Sequence, residues 1–161
     1  MATRFFKRNE QIKRLSREHH FSLLFCWKIR QGLKNEVPDY RICQYVQYFW
    51  KQNLQLHFRE EEKFFFVSLK DRRVQRAINE HKLIKQEIEG LTNHSARNFR
   101  KRLAALADMV DDHVRYEEKI LFPHLQRRLS REQFEIIGRQ IQEENRSCPK
   151  DLFEDQFWNS R

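Results

Sequence analysis

Glycine and proline are scarce, at three each in 161 residues. That scarcity excludes Pro/Gly-rich disorder, and no glycine-rich phosphate loop is present. Cysteine is equally rare: Cys26, Cys43 and Cys148 are odd in number and show no CxxC spacing. Free thiols in a reducing compartment are a simpler reading than a disulfide framework. No apolar run reaches transmembrane length, and the opening MATRFFKRNEQ has no apolar signal core. A cytoplasmic protein with no membrane partner is expected. No alternating strand pattern stands out, and the HExxH of zinc hydrolases is absent.

What is present is charge and aromatic bulk, 34% and 13% of the residues. One domain of this size can build a core, and its composition suits helices with a solvated outer face. The net charge of +9 would suit nucleic acid or an acidic membrane, but Lys and Arg are scattered among Glu along the whole chain. Apolar residues Ile12, Leu15, Leu23, Leu24, Trp27 and Ile29 recur at helical spacing from about Asn9 to Gly32. After NEVPDY, a long helix opens at Pro38 or Asp39 and has no Gly or Pro to stop it. Asp71 is an N-cap for a third helix ending near Gly90. A fourth runs from FRKRL to a bend or end at Pro123, and Ser130 with Gln133 forms a capping box for a short fifth. The expected fold is all-α, an up-down-up-down four-helix bundle with a short extra C-terminal helix. Residues 1–145 form that unit and 146–161 a tail, whose Leu152, Phe153, Phe157 and Trp158 suit one more helical turn on the bundle or on a partner.

One phrase is written twice. HFREEEKFFFVSL starts at His57 and HVRYEEKILFPHL at His113, and His, Arg, Glu, Glu, Lys, Phe and Leu share offsets. Each copy sets a glutamate four residues after its histidine, on one helix face: His57 with Glu61, His113 with Glu117. Apolar neighbours put these faces inward. An unpartnered buried carboxylate costs on the order of several kcal/mol, so two of them need cations or metal. Neutral imidazoles and ionised carboxylates converging in a bundle core suit divalent metal. His81, with Ile78 and Ile84 near it, can join them. In REHHFSLL, His20 shares a stripe with Leu23 and Leu24 and is favoured, with His19 the alternative. Likewise Glu117 is favoured, with Glu118 the alternative. His94 and His124 read as surface residues, and Glu60, Glu62 and Glu118 as outer carboxylates or supports behind the ligands. A ferritin-type oxidase needs Glu three residues before its histidines, and no histidine here has one.

REHHFSLL, HFREEEKFFF, NEHKLI and HVRYEEKILFP together resemble the hemerythrin-like family of HHE cation-binding domains, from about Ser16 to Leu125. The resemblance implies a four-helix bundle with a non-haem di-iron centre. His20, His57, His81 and His113 would be terminal ligands, and Glu61 and Glu117 would bridge two iron ions. Oxygen-carrying members place a second histidine four residues after the third-helix one, where this chain has Lys85. They also place an aspartate five after the last, where it has Glu118. The implied role is therefore sensing, scavenging or handling of dioxygen, peroxide, nitric oxide or iron, rather than simple carriage. A dedicated enzyme is not expected, although peroxide or nitric oxide scavenging would be one. A different class of function, a basic helical adaptor for nucleic acid or a protein partner, leaves the His/Glu repeat unexplained.

Overall fold

Helices start where a short polar side chain can take the free N–H groups of a first turn. In the computed structural model, which describes residues 7–92, 95–147 and 149–159, Asn9 accepts from the Gln11 amide and opens α1 (Glu10–Lys34). Asp71 accepts from the Arg73 and Val74 amides to open α3 (Arg72–Gly90). Ser130 and Gln133 complete the expected capping box ahead of α5 (Arg131–Glu144). The expected positions of His94 and Cys148 lie outside the described residues; Cys26 and Cys43 are buried free thiols.

Helices α2 (39–68) and α4 (99–128) are continuous but not uniform. In α2, α-helical turns alternate with π turns at Trp50–Leu54 and Glu61–Phe65 before a 3-10 end. In α4 a π turn at Glu117–Leu121 separates Phe99–Tyr116 from Phe122–Arg128. Two of these π turns begin at the glutamates of the repeated phrase; such turns often mark functional sites. Of the bend or end expected at Pro123, the end is excluded, because α4 runs on to Arg128. Pro123 sits in the first turn of the segment after the π turn, where a missing N–H is tolerated. The extra turns bury His124, whose ring bonds Asp71 at 2.5 Å and Arg73 at 3.0 Å. The surface reading of His124 was therefore wrong.

The fold is an all-helical bundle, with no strand among the described residues. Helix α1 packs along α4, α4 also packs on α3, and α5 covers α1 and the second π turn of α2. Cys43 and Gln47 of α2 donate to the carbonyls of Leu91 and Ile88, whereas Phe58 further along α2 stacks on His81, so α2 and α3 run in opposite directions. The apolar core is divided in two. On α1, Ile12 and Leu15 belong to one cluster and Phe25, Cys26 and Ile29 to the other. On α3, Val74 and Ala77 face Ile84 and Ile88 across the same division. His19 and His81 stand at the changeover.

The tail is not the expected helical turn. Residues 149–159 lie without helix on α1 and α2, pinned by Asp151, which accepts from Lys28 at 2.7 Å and Tyr45 at 2.6 Å. Phe157 is buried against Tyr45 and Gly32, where an added Cβ would come within 2.7 Å of its ring. Gly32 thus serves the tail as well as lying near the end of α1, which closes at Lys34. Phe157→Ala should lower unfolding free energy by about 3 kcal/mol, the usual scale for emptying a buried phenylalanine site. Urea denaturation would check it.

Candidate metal centre

Between the two apolar clusters, six side chains from four helices converge. His19, His57, Glu61, His81, His113 and Glu117 are all buried, the two glutamates completely. His57 Nε2 lies 3.0 Å from Glu61 and His81 Nε2 3.2 Å from the other oxygen of that carboxylate. His19 Nε2 lies 2.9 Å and His113 Nε2 3.2 Å from the two oxygens of Glu117. These atoms converge, yet none of the four nitrogens or four oxygens is oriented to make a hydrogen bond. Among the described residues, the other buried side-chain atoms without a partner belong to Asn53 and Arg146. Eight buried polar atoms left without partners would be strongly destabilising if nothing bound them. A cation resolves this: two donors each about 2.1 Å from one ion, at a right angle, stand about 3.0 Å apart. Two sets of donors, each within 4.8 Å, could hold one ion apiece: His19, His57, Glu61 and Glu117; and Glu61, His81, His113 and Glu117. Both carboxylates belong to both sets.

The outer nitrogen of each histidine is also held. His57 Nδ1 donates to Glu18 at 2.8 Å, His81 Nδ1 to Glu62 at 2.8 Å, His113 Nδ1 to Glu80 at 2.8 Å and His19 Nδ1 to Glu118 at 2.6 Å. Every helix from α1 to α4 thus gives a carboxylate to the histidine of the next, and α4 returns to α1. A carboxylate on Nδ1 sets the tautomer that presents a lone pair on Nε2, as metal-binding histidines require. Rings complete the fixing: Phe58 stacks on His81 at 3.8 Å and Phe122 on His19 at 5.1 Å.

The family model of the hemerythrin HHE cation binding domain matches residues 10–125. The chain belongs to that family. No curated protein and no solved structure matches it. The hemerythrin match ends before α5, so α5, Arg146 and the tail are additions to the matched domain.

Within this hemerythrin-family fold, the favoured histidine of REHH has to be corrected. His20 is exposed, and His19 enters the cluster. The inward stripe of α1 is Ile12, Leu15, His19, Ser22, Phe25, Cys26 and Ile29, whereas Trp27 is 46% exposed. Taking Leu23, Leu24 and Trp27 as inward turned the helix by about one residue. His19→Ala is expected to cost about half of the bound metal and His20→Ala none, which metal analysis of the purified variants would check. Glu117, not Glu118, is in the cluster; Glu118 stands behind His19. Glu60 is buried away from the centre, between Arg14 and Arg146. Sequence reasoning missed Glu18 and Glu80. Their only signal is the Glu-His pair in REHH and NEHK, and each serves a histidine on another helix. Lys85 points away, half-exposed and 3.8 Å from Glu89, and lines an outer cleft shared with His81 and Glu62.

Burial and the neighbouring carboxylates act in opposite directions on the four histidines. Burial works against a charged His57, but Glu61 and Glu18 outweigh it and raise its pKa to about 10. Burial likewise opposes charge on His19, His81 and His113, and the adjacent carboxylates raise all three. Glu61 and Glu117 are held below the usual carboxylate range against burial, by His57 and His113 foremost. Burial would raise Glu18 too, yet its bond to His57 and the Arg146 guanidinium bring it to about 2. The layer is thus built for anionic carboxylates facing cationic charge. No helix among the described residues is long and apolar enough to cross a membrane.

Proposed function

We propose that this hemerythrin-family chain is a non-haem di-iron protein that senses, scavenges or handles dioxygen, peroxide, nitric oxide or iron. The observation that carries the reading is the set of eight buried donor atoms aimed at one another without hydrogen bonds, divided into two four-residue sets that share Glu61 and Glu117. His19 and His57 would hold one ion, His81 and His113 the other, and Glu61 with Glu117 would bridge them. Six ligands of mixed nitrogen and oxygen type are too many for one tetrahedral zinc and suit two irons. In this reading the four long helices form an up-down-up-down bundle across residues 1–145, with 146–161 as its tail.

Iron in such a centre supplies one-electron exchange with small oxidants. The chain's own contribution is placement. Glu18, Glu62, Glu80 and Glu118 keep each Nδ1 protonated and each Nε2 free. The apolar clusters on either side exclude bulk water. Helix α3 offers only His81, since Lys85 faces out, so one ion has one nitrogen fewer than in the carriers. That favours reaction or sensing over reversible carriage.

Metal analysis of protein made in iron-replete cells tests the reading. About two irons per chain are expected, with the near-ultraviolet and visible absorption of a ferric pair. One ion or fewer, or tight zinc alone, would overturn it.

A further inference from the structure

Asn53 lies outside the centre just described, yet its side chain shares the same condition. It is 4% exposed, and neither its amide nitrogen nor its oxygen has a hydrogen-bond partner. Arg146 Nη1 is also unpaired, but the rest of that guanidinium is bonded to Glu18 and Glu60. A buried amide without partners is a net loss to the fold, and an apolar residue would fill such a position more stably.

The place of Asn53 suggests what the amide is for. It stands four residues before His57 on α2, hence on the same face and about 6 Å away along the axis. It lies within the π turn Trp50–Leu54. On one side of its level, Phe49 stacks on Phe25 of α1 at 4.6 Å. On the other, His57 bonds Glu18 of α1. Asn53 therefore belongs to the α1 side of α2, about one turn before His57 of the His19/His57 set. Ser22, at the same level of α1, is buried as well.

We infer that the Asn53 amide is the hydrogen-bond donor to a small anionic ligand bound at the ion of the His19/His57 set. The inference rests on the di-iron reading. The amide N–H would donate to an acceptor atom of the ligand, selecting ligands that carry negative charge over apolar diatomic gases. The amide would accordingly be kept for binding, at the expense of stability.

Azide is the probe, titrated into the oxidised, iron-loaded protein and followed by visible absorption. Asn53→Leu and Asn53→Ala should keep their iron and bind azide about tenfold more weakly, the scale of one hydrogen bond to a charged group. The metal-free Asn53→Leu protein should melt at a higher temperature than the metal-free parent. Unchanged azide affinity in both variants, with iron retained, would overturn the inference and leave the di-iron reading standing. If the parent chain takes up no iron, the reading itself falls, and this inference with it. Should Asn53→Leu melt lower through overpacking, the azide affinity of Asn53→Ala decides.

Discussion

In the proposed di-iron centre, replacing either Glu61 or Glu117 with alanine is expected to remove both ions, taking iron from about two per chain to well below one. Each carboxylate contributes to both sets of donors, so its loss leaves no set intact. It also removes half the negative charge that offsets two dications in a dry layer. The variants should still fold, because the truncation deletes a buried charge and leaves its histidine partners on their Nδ1 bonds. Metal analysis together with far-ultraviolet circular dichroism separates metal loss from unfolding. Glu118→Ala and Glu60→Ala are expected to retain iron. In Glu118→Ala the affinity should fall by about 10- to 100-fold, because His19 loses the acceptor that orients its ring. A protein that keeps its iron without Glu117 and loses it without Glu118 would place the ligand five residues after His113.

Arg146→Ala should lower the unfolding free energy by about 3 kcal/mol, the scale for removing one partner of a buried ion pair. Arg146 bonds Glu18 at 2.9 Å and Glu60 at 2.5 Å, and both carboxylates are buried. Arg14 remains on Glu60, but its guanidinium is 3.9 Å from Glu18. Glu18 would be left with His57 as its main partner, so the loss should also loosen the ion on that side. Asn145, in the left-handed conformation at the end of α5, turns the chain toward this bond. Chemical denaturation measures the first effect and competition with a chelator the second.

Much of this was legible in the sequence because the bundle core repeats polar residues where a core should repeat apolar ones. Two copies of His-x-x-x-Glu identified four of the six converging residues without reference to any loop, since an i, i+4 pair shares a face whatever the helix packs against. Helix starts were equally legible at Asp71 and Ser130, where the cap is a local hydrogen bond. His19 was not, because adjacent histidines differ by about 100° around the helix and only packing with α4 selects one. At Pro123 bend and end stayed open for a different reason: a π turn is a departure from regular helix that composition does not announce. Gly32 does lie near the end of α1, but no pattern in the sequence signals that its missing side chain makes room for Phe157 from far along the chain.

The closed ring of Nδ1 bonds makes the chain a pair of interlocking halves. Helices α1 and α2 carry His19, His57 and Glu61, three of the four residues of one set, and lack only Glu117. Helices α3 and α4 carry the mirror complement, His81, His113 and Glu117, and lack only Glu61. Within the halves, Glu18 already holds His57 and Glu80 already holds His113; across them, Glu62 reaches His81 and Glu118 reaches His19. A cut at 69–71 would therefore yield two fragments, each with a nearly complete one-ion site and each missing one carboxylate that the other holds, Glu117 in the first and Glu61 in the second. Such fragments recognise one another through complementary needs, so mixing them with iron should rebuild the layer from separate pieces.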